Sequence, residues 1–506
     1  MTARLTSDER RLFTLVAQAA RTNPFTGLRD ALDVKIAGAD GEGIPIGESD
    51  DVMDAVIAKV DRSIAVLRQE DRADIRKYGG QDRTLVEGVF LFDLFHRFIP
   101  HFDTLIADQM AAGERNLPVP FASKVSGMFR ERGFSNADAK RYFELYFQMR
   151  RAFFFIQKNL VGRSACMHAL RENLWNNVFT HNIDWYDRFL WNRMEDFSTL
   201  ILGPTGAGKG TAAMAIGRSG YIPFDEKKGC FAESFTRSFT SLNLSQFSPT
   251  LIESELFGHK KGAFTGAVED YKGIFDRCSP YGAIFLDEIG EVSQSVQIKL
   301  LQVLQERTFT PVGSHQPCRF AGRVIAATNR PLEHMRSEGV LRDDFYYRLC
   351  SDVITLPSLA RRIAEDPLEL DDLVIHTVNR ILGAVNPELV TMIVAEIKRS
   401  PGATYPWPGN VRELEQCVRR ILLNRSYTPE TAVHTIAPAD RLAREMTSGR
   451  LDAQSLLSGY CCLLYQQMGT YEAVARRTRL DRRTVKKYVQ EGMRYIETEP
   501  SHVQNL

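Results

Sequence analysis

Apolar residues at intervals of three and four dominate the first 157 positions of the chain. Leu12, Phe13, Leu15, Val16 and Ala19 fall on one helical face behind the polar run Ser7-Asp8-Glu9. This reads as a capped amphipathic helix rather than the core of a signal peptide. Val52, Val56, Val60, Ile64 and Leu67 repeat the pattern after Ser49-Asp50-Asp51. Leu85 to Phe98 predicts another helix, stopped near Pro100. Ser135 to Asp138 predicts a capping box opening a long helix through Phe143, Phe147, Phe154 and Ile156. Breaks are expected at Ala37–Gly47, Gly79-Gly80 and Leu117–Pro120. There is no strand–helix alternation here and no acidic cluster after a first strand, which argues against a phosphorylatable receiver domain.

From about residue 158 the texture changes. Short apolar runs, Thr199–Leu202, Ala283–Leu286 and Val324–Ala327, alternate with glycine turns and helical stretches. That pattern predicts a parallel sheet flanked by helices. After Pro357 the chain reads as helical to about 435, and a last helical, locally basic segment covers 450–495. The expected organisation is therefore multidomain: a mostly helical region 1–157, an α/β domain 158–360, a helical subdomain 361–435, and a small helical domain 450–495.

Composition adds exclusions. The 506 residues are 44% hydrophobic and 25% charged, as in ordinary globular domains, so collagen-like and wholly disordered chains are out. With 64 basic and 63 acidic residues the net charge is +1, so any nucleic-acid contact must come from a local patch. The eight cysteines form no CxxC pair and have no histidine at zinc spacing, which points to reduced thiols in a cytoplasmic protein. No apolar run approaches the roughly 20 residues that span a bilayer, so no membrane association is expected.

The candidate chemistry begins at the first predicted strand. Thr199–Leu202 runs into Gly203-Pro204-Thr205-Gly206-Ala207-Gly208-Lys209, followed by helix-forming residues. Strand, glycine loop and helix in that order form a phosphate-binding loop: glycines let backbone N–H groups converge on phosphate oxygens, and the helix N-terminus adds positive potential. Lys209 is placed to reach the β and γ phosphates. The position after it, where a magnesium-binding hydroxyl is usual, is Gly210, and the first hydroxyl is Thr211. Further on, an apolar strand ends in Asp287-Glu288. Alone this is a solvated strand end. Behind a phosphate loop it supplies Asp287 to hold Mg2+ through water and Glu288 to polarise the attacking water. A third strand ends in Thr328 and Asn329, placed to sense the γ phosphate at the carboxyl edge of the sheet.

Between these motifs lies Gly262-Ala263-Phe264-Thr265-Gly266-Ala267, an aromatic and a hydroxyl flanked by glycines. Chemistry alone gives a mobile interaction loop. The stretch resembles the GAFTGA loop of sigma-54-dependent transcription activators, a subgroup of the AAA+ ATPases. The resemblance continues through Phe285 to Glu291, Gln297 to Glu306, Ala326 to Asn329, Leu341 to Leu349 and Trp407 to Leu414, covering about 158–425. It implies that Gly262–Ala267 touch sigma-54, with Phe264 and Thr265 at the tip. Asn243 matches the switch asparagine that orients Glu288 according to nucleotide state. Arg342 and Arg348 match the arginine fingers that reach a neighbouring subunit's γ phosphate, and Arg412 matches the sensor arginine of the helical lid. Val161 to Leu170 resembles the start of the family's ATPase domain. Two intervals, Gly162 to Gly203 and Lys209 to Gly258, are longer than the family's. The first holds Trp175, Trp185 and Trp191, which are read either as extra packing surface or as a latch between the N-terminal region and the ring.

Residues 470–490 read as two short helices around a turn, with Asp481 capping the second. Ala473, Val474, Leu480, Val485 and Val489 supply a small core. Arg482, Arg483, Thr484, Lys486 and Lys487 open the second helix, which enters the major groove in helix-turn-helix motifs. The segment is similar to the Fis-type domain of the same activators.

Together these features are expected to describe an ATP- and Mg2+-dependent transcription activator. It would bind upstream double-stranded DNA, assemble into a ring expected to be a hexamer, and remodel sigma-54 RNA polymerase from closed to open complex. An unidentified signal or partner would act on the N-terminal region. Two alternatives stay open: an AAA+ remodelling ATPase with another target, and a DNA-binding repressor with an impaired ATPase.

Overall fold

The structure is a computed structural model that describes residues 3–38, 49–384, 386–402, 405–429, 438–447, 449 and 451–497. Contacts divide the chain into two compact units, 1–427 and 428–506.

The first unit opens with seven helices: α1 Ser7–Arg21, α2 Gly27–Ala37, α3 Ser49–Gln69, α4 Gly80–Ala112, α5 Ala122–Glu131, α6 Asn136–Asn159 and α7 Ala165–Phe179. The cap of α1 is Thr6, not the Ser7-Asp8-Glu9 run: its hydroxyl accepts from the Glu9 N–H while the Glu9 carboxylate accepts from the Thr6 N–H. Ser135 caps α6 as expected. The expected stop near Pro100 is overturned, because α4 runs through it to Ala112. An internal proline costs a helix about 3 kcal/mol. Here Phe98, Phe102, Leu105 and Ile106 are buried on both sides of it, and that burial outweighs the lost hydrogen bond. The expected break at 37–47 lies largely outside the described residues.

After a short turn, α8 Ile183–Trp185, the α/β region begins: β1 Thr199–Leu202, α9 Lys209–Gly217, β2 Phe224–Asp225, β3 Cys230–Phe231, β4 Phe239–Asn243, α10 Pro249–Phe257, α11 Ile274–Arg277, β5 Ala283–Asp287, α12 Gln294–Glu306, β6 Thr308–Phe309, β7 Cys318–Arg319, β8 Arg323–Thr328, α13 Leu332–Ser337, α14 Asp343–Leu349 and β9 Asp352–Thr355. Five strands form one parallel sheet in the order β4-β5-β8-β1-β9. Its interior strands are mostly apolar between their ends because both faces are covered.

Side chains alternate between the faces. Leu200, Ile284, Leu286, Val324 and Ala326 join a core with residues of α10, α12 and α14. Ile201, Phe285, Ile325, Ala327 and Ile354 join the other, which continues without interruption through α9 into the N-terminal helices as far as Phe13. The hairpin β2–β3 is the dock: Phe143 meets Phe224 edge-on at 5.0 Å, and Phe147 stacks on Phe231 at 4.0 Å. The long interval after Lys209 thus holds a surface for α6. The lid follows as α15 Leu359–Glu365, α16 Leu368–Leu382, α17 Pro387–Ile397 and α18 Asn410–Asn424, with its own core around Trp407, Leu414 and Val418.

The second unit contains α19 Pro438–Thr447, α20 Ala453–Met468, α21 Tyr471–Thr478 and α22 Arg482–Glu497. Cys461, Leu464, Val474, Val485 and Val489 form its core, with Leu480 packed against it. The chain has the multidomain architecture expected: a helical N-terminal region, a parallel α/β AAA+ domain and a helical C-terminal part.

Candidate nucleotide site and interaction surfaces

The phosphate loop takes its shape from glycines. Gly206 and Gly208 sit at φ 77° and 101°, in the left-handed region that side chains avoid. A Cβ on Gly206 would lie 2.2 Å from the carbonyl oxygen of Gly409, so the lid packs its backbone directly on the loop. Asn410 reinforces this contact: its Nδ2 donates to the Thr205 carbonyl at 3.0 Å, and its Oδ1 accepts from the Leu359 N–H at 2.8 Å. Arg412 is on the same turn, its Cβ bordering Gly206.

Lys209 opens α9 and is buried; its Nζ donates to the Gly203 carbonyl at 3.0 Å. Glu288 Oε1 lies 4.0 Å from that ammonium. Glu288 itself adopts φ 57°, ψ 52°, an uncommon conformation for a residue with a side chain. Asn243 and Asp287 are register partners on adjacent strands, with Nδ2 3.4 Å from Oδ2. The Asn329 N–H points at Glu288 Oε2 (3.4 Å), while its Nδ2 donates to the Thr205 hydroxyl at 3.0 Å. Thr328 is buried opposite Leu202 on β1. Lys209, Thr205, Asn243, Asp287, Glu288, Thr328 and Asn329 therefore share the carboxyl edge of one sheet, where α/β folds bind ligands.

The fold suits a nucleoside triphosphate: open backbone amides, a helix N-terminus, one buried cation and an opposing carboxylate pair. Asp287 is a carboxylate at this edge that could hold a magnesium ion, and Thr211 is the first hydroxyl after Lys209. A Cβ at Gly210 would meet only the Phe285 ring, at 3.8 Å, so no crowding explains the missing hydroxyl there.

Arg342 and Arg348 do not join this cluster. Arg342 is half-buried and forked onto Asp344 at 3.0 and 2.7 Å, and Arg348 donates to the Leu304 carbonyl at 3.0 Å. The Gly262–Ala267 loop is closed at its base by the Gly262 N–H on the Ala267 carbonyl (2.8 Å). Thr265 is exposed, and Phe264, 39% exposed, leans edge-on against His259 at 4.9 Å. In the second unit, Arg482, Arg483, Lys486 and Lys487 are exposed, and Thr484 is half-buried with its hydroxyl on Asp481. Arg482 pairs with Glu472 and Lys487 with Glu491.

Of the three tryptophans in the long interval before β1, Trp175 is buried while Trp185 and Trp191 are 53% and 36% exposed. Their neighbours make the connection: Asp184 pairs with Arg21, and Asp187 with Arg141. Sequence reading offered a latch in this interval on the tryptophans, whereas these ion pairs run through Asp184 and Asp187; it missed Asn410, whose signal was an asparagine after Trp407-Pro-Gly. All eight cysteines are free thiols, and burial pushes Cys278, Cys350 and Cys417 up to about 12.

A parallel AAA+ sheet with this edge defines the class. Residues 187–355 match the family described as the Sigma-54 interaction domain. The chain is 44% identical over 223 residues to the Nif-specific regulatory protein of Azotobacter vinelandii, covering 44% of this chain and 39% of the relative. It is 35% identical over 296 residues to the DNA-binding transcriptional regulator NtrC of Rhizobium meliloti, covering 58% and 51%. Over 240 residues it is 37% identical to the transcriptional regulatory protein ZraR of Salmonella typhimurium, covering 46% and 49%. It thus spans about half or less of the length of these relatives. A crystal structure of NtrX from Brucella abortus in complex with ADP aligns over 73% of this chain and 80% of that one, at 21% identity and a TM-score of 0.39. Among the described residues no helix is long and apolar enough to cross a membrane.

Proposed function

We propose that this protein is a sigma-54-dependent transcription activator that hydrolyses ATP in a ring, expected to be a hexamer, and remodels sigma-54 RNA polymerase. One observation supports the reading: the Asp287-Glu288 strand edge and the Gly262–Ala267 loop, with Phe264 and Thr265 exposed, occur within the segment that matches the Sigma-54 interaction domain. Glu288 would take the proton of the attacking water, held in place by Asn329 and the nearby Lys209. Asn243, beside Asp287, would report nucleotide state along β4 toward α10 and the loop. Mg2+, held by Asp287 through water, would neutralise phosphate charge. Arg342 and Arg348, bonded to Asp344 and the Leu304 carbonyl, would serve a neighbouring subunit, where a planar permanent cation stabilises transferring phosphoryl charge. Arg412 would sense nucleotide from the lid. Arg482, Arg483, Thr484, Lys486 and Lys487 would hold upstream duplex DNA.

The test uses full-length protein, sigma-54 and a transition-state analogue of the γ phosphate. A stable ternary complex on a native gel, lost in Thr265→Ala while ATP hydrolysis stays within about twofold of wild type, is the expected result. ATP hydrolysis without any complex would redirect the reading to another remodelling target. Loss of hydrolysis and complex together in Thr265→Ala would make the loop structural.

A further inference from the structure

The N-terminal helices line an open cavity of about 1320 Å³. Small-molecule sites typically occupy ~300–1,000 Å³, so there is room for a ligand and its water. The walls come from α1, α2, α3, α4 and α6, and on one side from α7 and α8, which lead into β1. The inner lining is aromatic. Phe25 stacks on Phe153 with centroids 5.4 Å apart and meets Trp175 edge-on at 6.0 Å. Phe92 packs on His96 at 3.9 Å, and Phe95 meets the same imidazole edge-on at 5.3 Å.

Several polar groups of the wall pair with one another, while Asp30, Asp51 and Arg188 at its exposed rim make no ion pair among the described residues. Arg29 pairs with Asp33, Arg21 with Asp184 and Arg141 with Asp187. The Tyr142 hydroxyl donates to Glu87, and the Tyr146 hydroxyl to the Leu91 carbonyl. His96 differs. Its Nδ1 lies 2.8 Å from the Phe92 carbonyl, which can only accept, so Nδ1 carries the proton. Burial pushes this imidazole down to about 4, which keeps it neutral near pH 7. Nε2 is then a bare acceptor to which no described group donates, on a residue that lines the cavity.

We propose that this cavity binds an uncharged, ring-bearing, mainly apolar small molecule that donates one hydrogen bond to His96 Nε2. The ionic groups around His96, Arg29, Asp93 and Arg150, are paired with Asp33, Arg132 and Asp103, so a charged ligand at the imidazole would have to break one of those pairs. A molecule with no donor would strip water from Nε2 without replacing its bond. An aromatic lining suits a flat ring, which gains from edge-on and stacked contacts beyond area alone. Such a ligand would touch Phe25 and Phe153 of the N-terminal helices and Trp175 of α7 at once.

The probe is N-phenyl-1-naphthylamine, an uncharged aromatic amine with one N–H whose emission rises in apolar surroundings. Titrated into the full-length protein, it is expected to bind saturably at one site per chain. Energy transfer from tryptophan to the bound probe should shrink in Trp175→Phe. Met149→Trp, which fills the cavity from α6, should abolish the saturable phase; Ala20→Phe does the same from α1 if that variant does not fold. His96→Phe should weaken binding roughly tenfold, and His96→Gln, which keeps an acceptor, should recover part of it. No saturable binding to wild type, or undiminished binding in the filled variants, would overturn the site. Equal affinity for wild type and His96→Phe would overturn the hydrogen bond. The assay needs neither ATP nor sigma-54, so its outcome is independent of the activator reading.

Discussion

Arg151, in the middle of α6, donates through Nη2 to the carbonyl of Gly220 at 2.7 Å, just past the helix that opens with Lys209. Its Nη1 takes the Arg218 carbonyl at 2.9 Å, and Gln148, one turn back on the same face, takes the Ser219 carbonyl at 2.9 Å. Three successive carbonyls beyond the C-terminus of α9 are thereby held by the N-terminal region. The guanidinium is fully buried between the rings of Phe147 and Phe235, and burial pushes it down to about 9, still charged at neutral pH. A cation there meets the negative end of the α9 dipole.

Arg151→Met keeps the length of the side chain and removes its donors, leaving two of those carbonyls dry. The expected cost is about 2–4 kcal/mol, read as a lower denaturant midpoint. ATP affinity should fall with it, because the base of α9 loses its clamp. An unchanged midpoint would mean the carbonyls find water instead.

Deleting residues 1–157 should not release a folded ATPase. Phe143, Phe147 and Phe155 leave with the deleted segment, exposing Phe224, Phe231 and Phe235 together. An apolar surface of that kind aggregates. Size-exclusion chromatography of 158–506 is expected to give soluble aggregate rather than a monodisperse species. A monodisperse, cooperatively melting fragment would show that the sheet folds without its N-terminal cover.

Gly210→Ser should be accepted by the fold, since a Cβ there touches only the Phe285 ring at ordinary distance. Replacing a glycine near the start of α9 should stabilise that helix by about 0.5 kcal/mol. The added hydroxyl would stand beside Thr211 and lower the magnesium concentration needed for half-maximal ATP hydrolysis. A rise in that concentration would mean that Thr211 already fills the role and the serine competes with it.

His96 gives a pH signature. Its ordinary value near 6.5 falls to about 4 in the folded chain through burial, aided by Arg29 and Arg150 and opposed by the Phe92 carbonyl and Asp93. Between those values the unfolded chain takes up a proton that the folded chain does not. Stability from this group is therefore full above pH 6.5 and declines as pH falls toward 4. Urea titrations at pH 7 and pH 5 should show wild type losing about 2 kcal/mol more than His96→Phe. Equal losses would place His96 in contact with bulk water.

The parts of the site that could be read from sequence were those built by contiguous backbone. Gly203 to Lys209 needs particular torsions and a following helix, and both are properties of neighbouring residues. The same holds for Asp481 capping α22, and for Val474, Val485 and Val489 at helical spacing. Pro100 was misread because local cost alone predicts a stop, while Phe98, Phe102 and Ile106 are paid by distant neighbours. The long interval after Lys209 was visible as length, but nothing within it named α6 as its partner.

By itself, then, the sequence determined the order of helices and strands, the phosphate loop, the paired carboxylates and the exposed Gly262–Ala267 turn. These follow from periodicity and local torsion, which act over a few residues. Tertiary structure alone decided that Asn410 ties the lid to Thr205, that Arg151 holds the end of α9, and that the N-terminal helices share a core with the sheet. Apolar side chains bury against whatever surface is complementary, and complementarity between Phe147 and Phe231, 84 positions apart, exists only once the chain has folded.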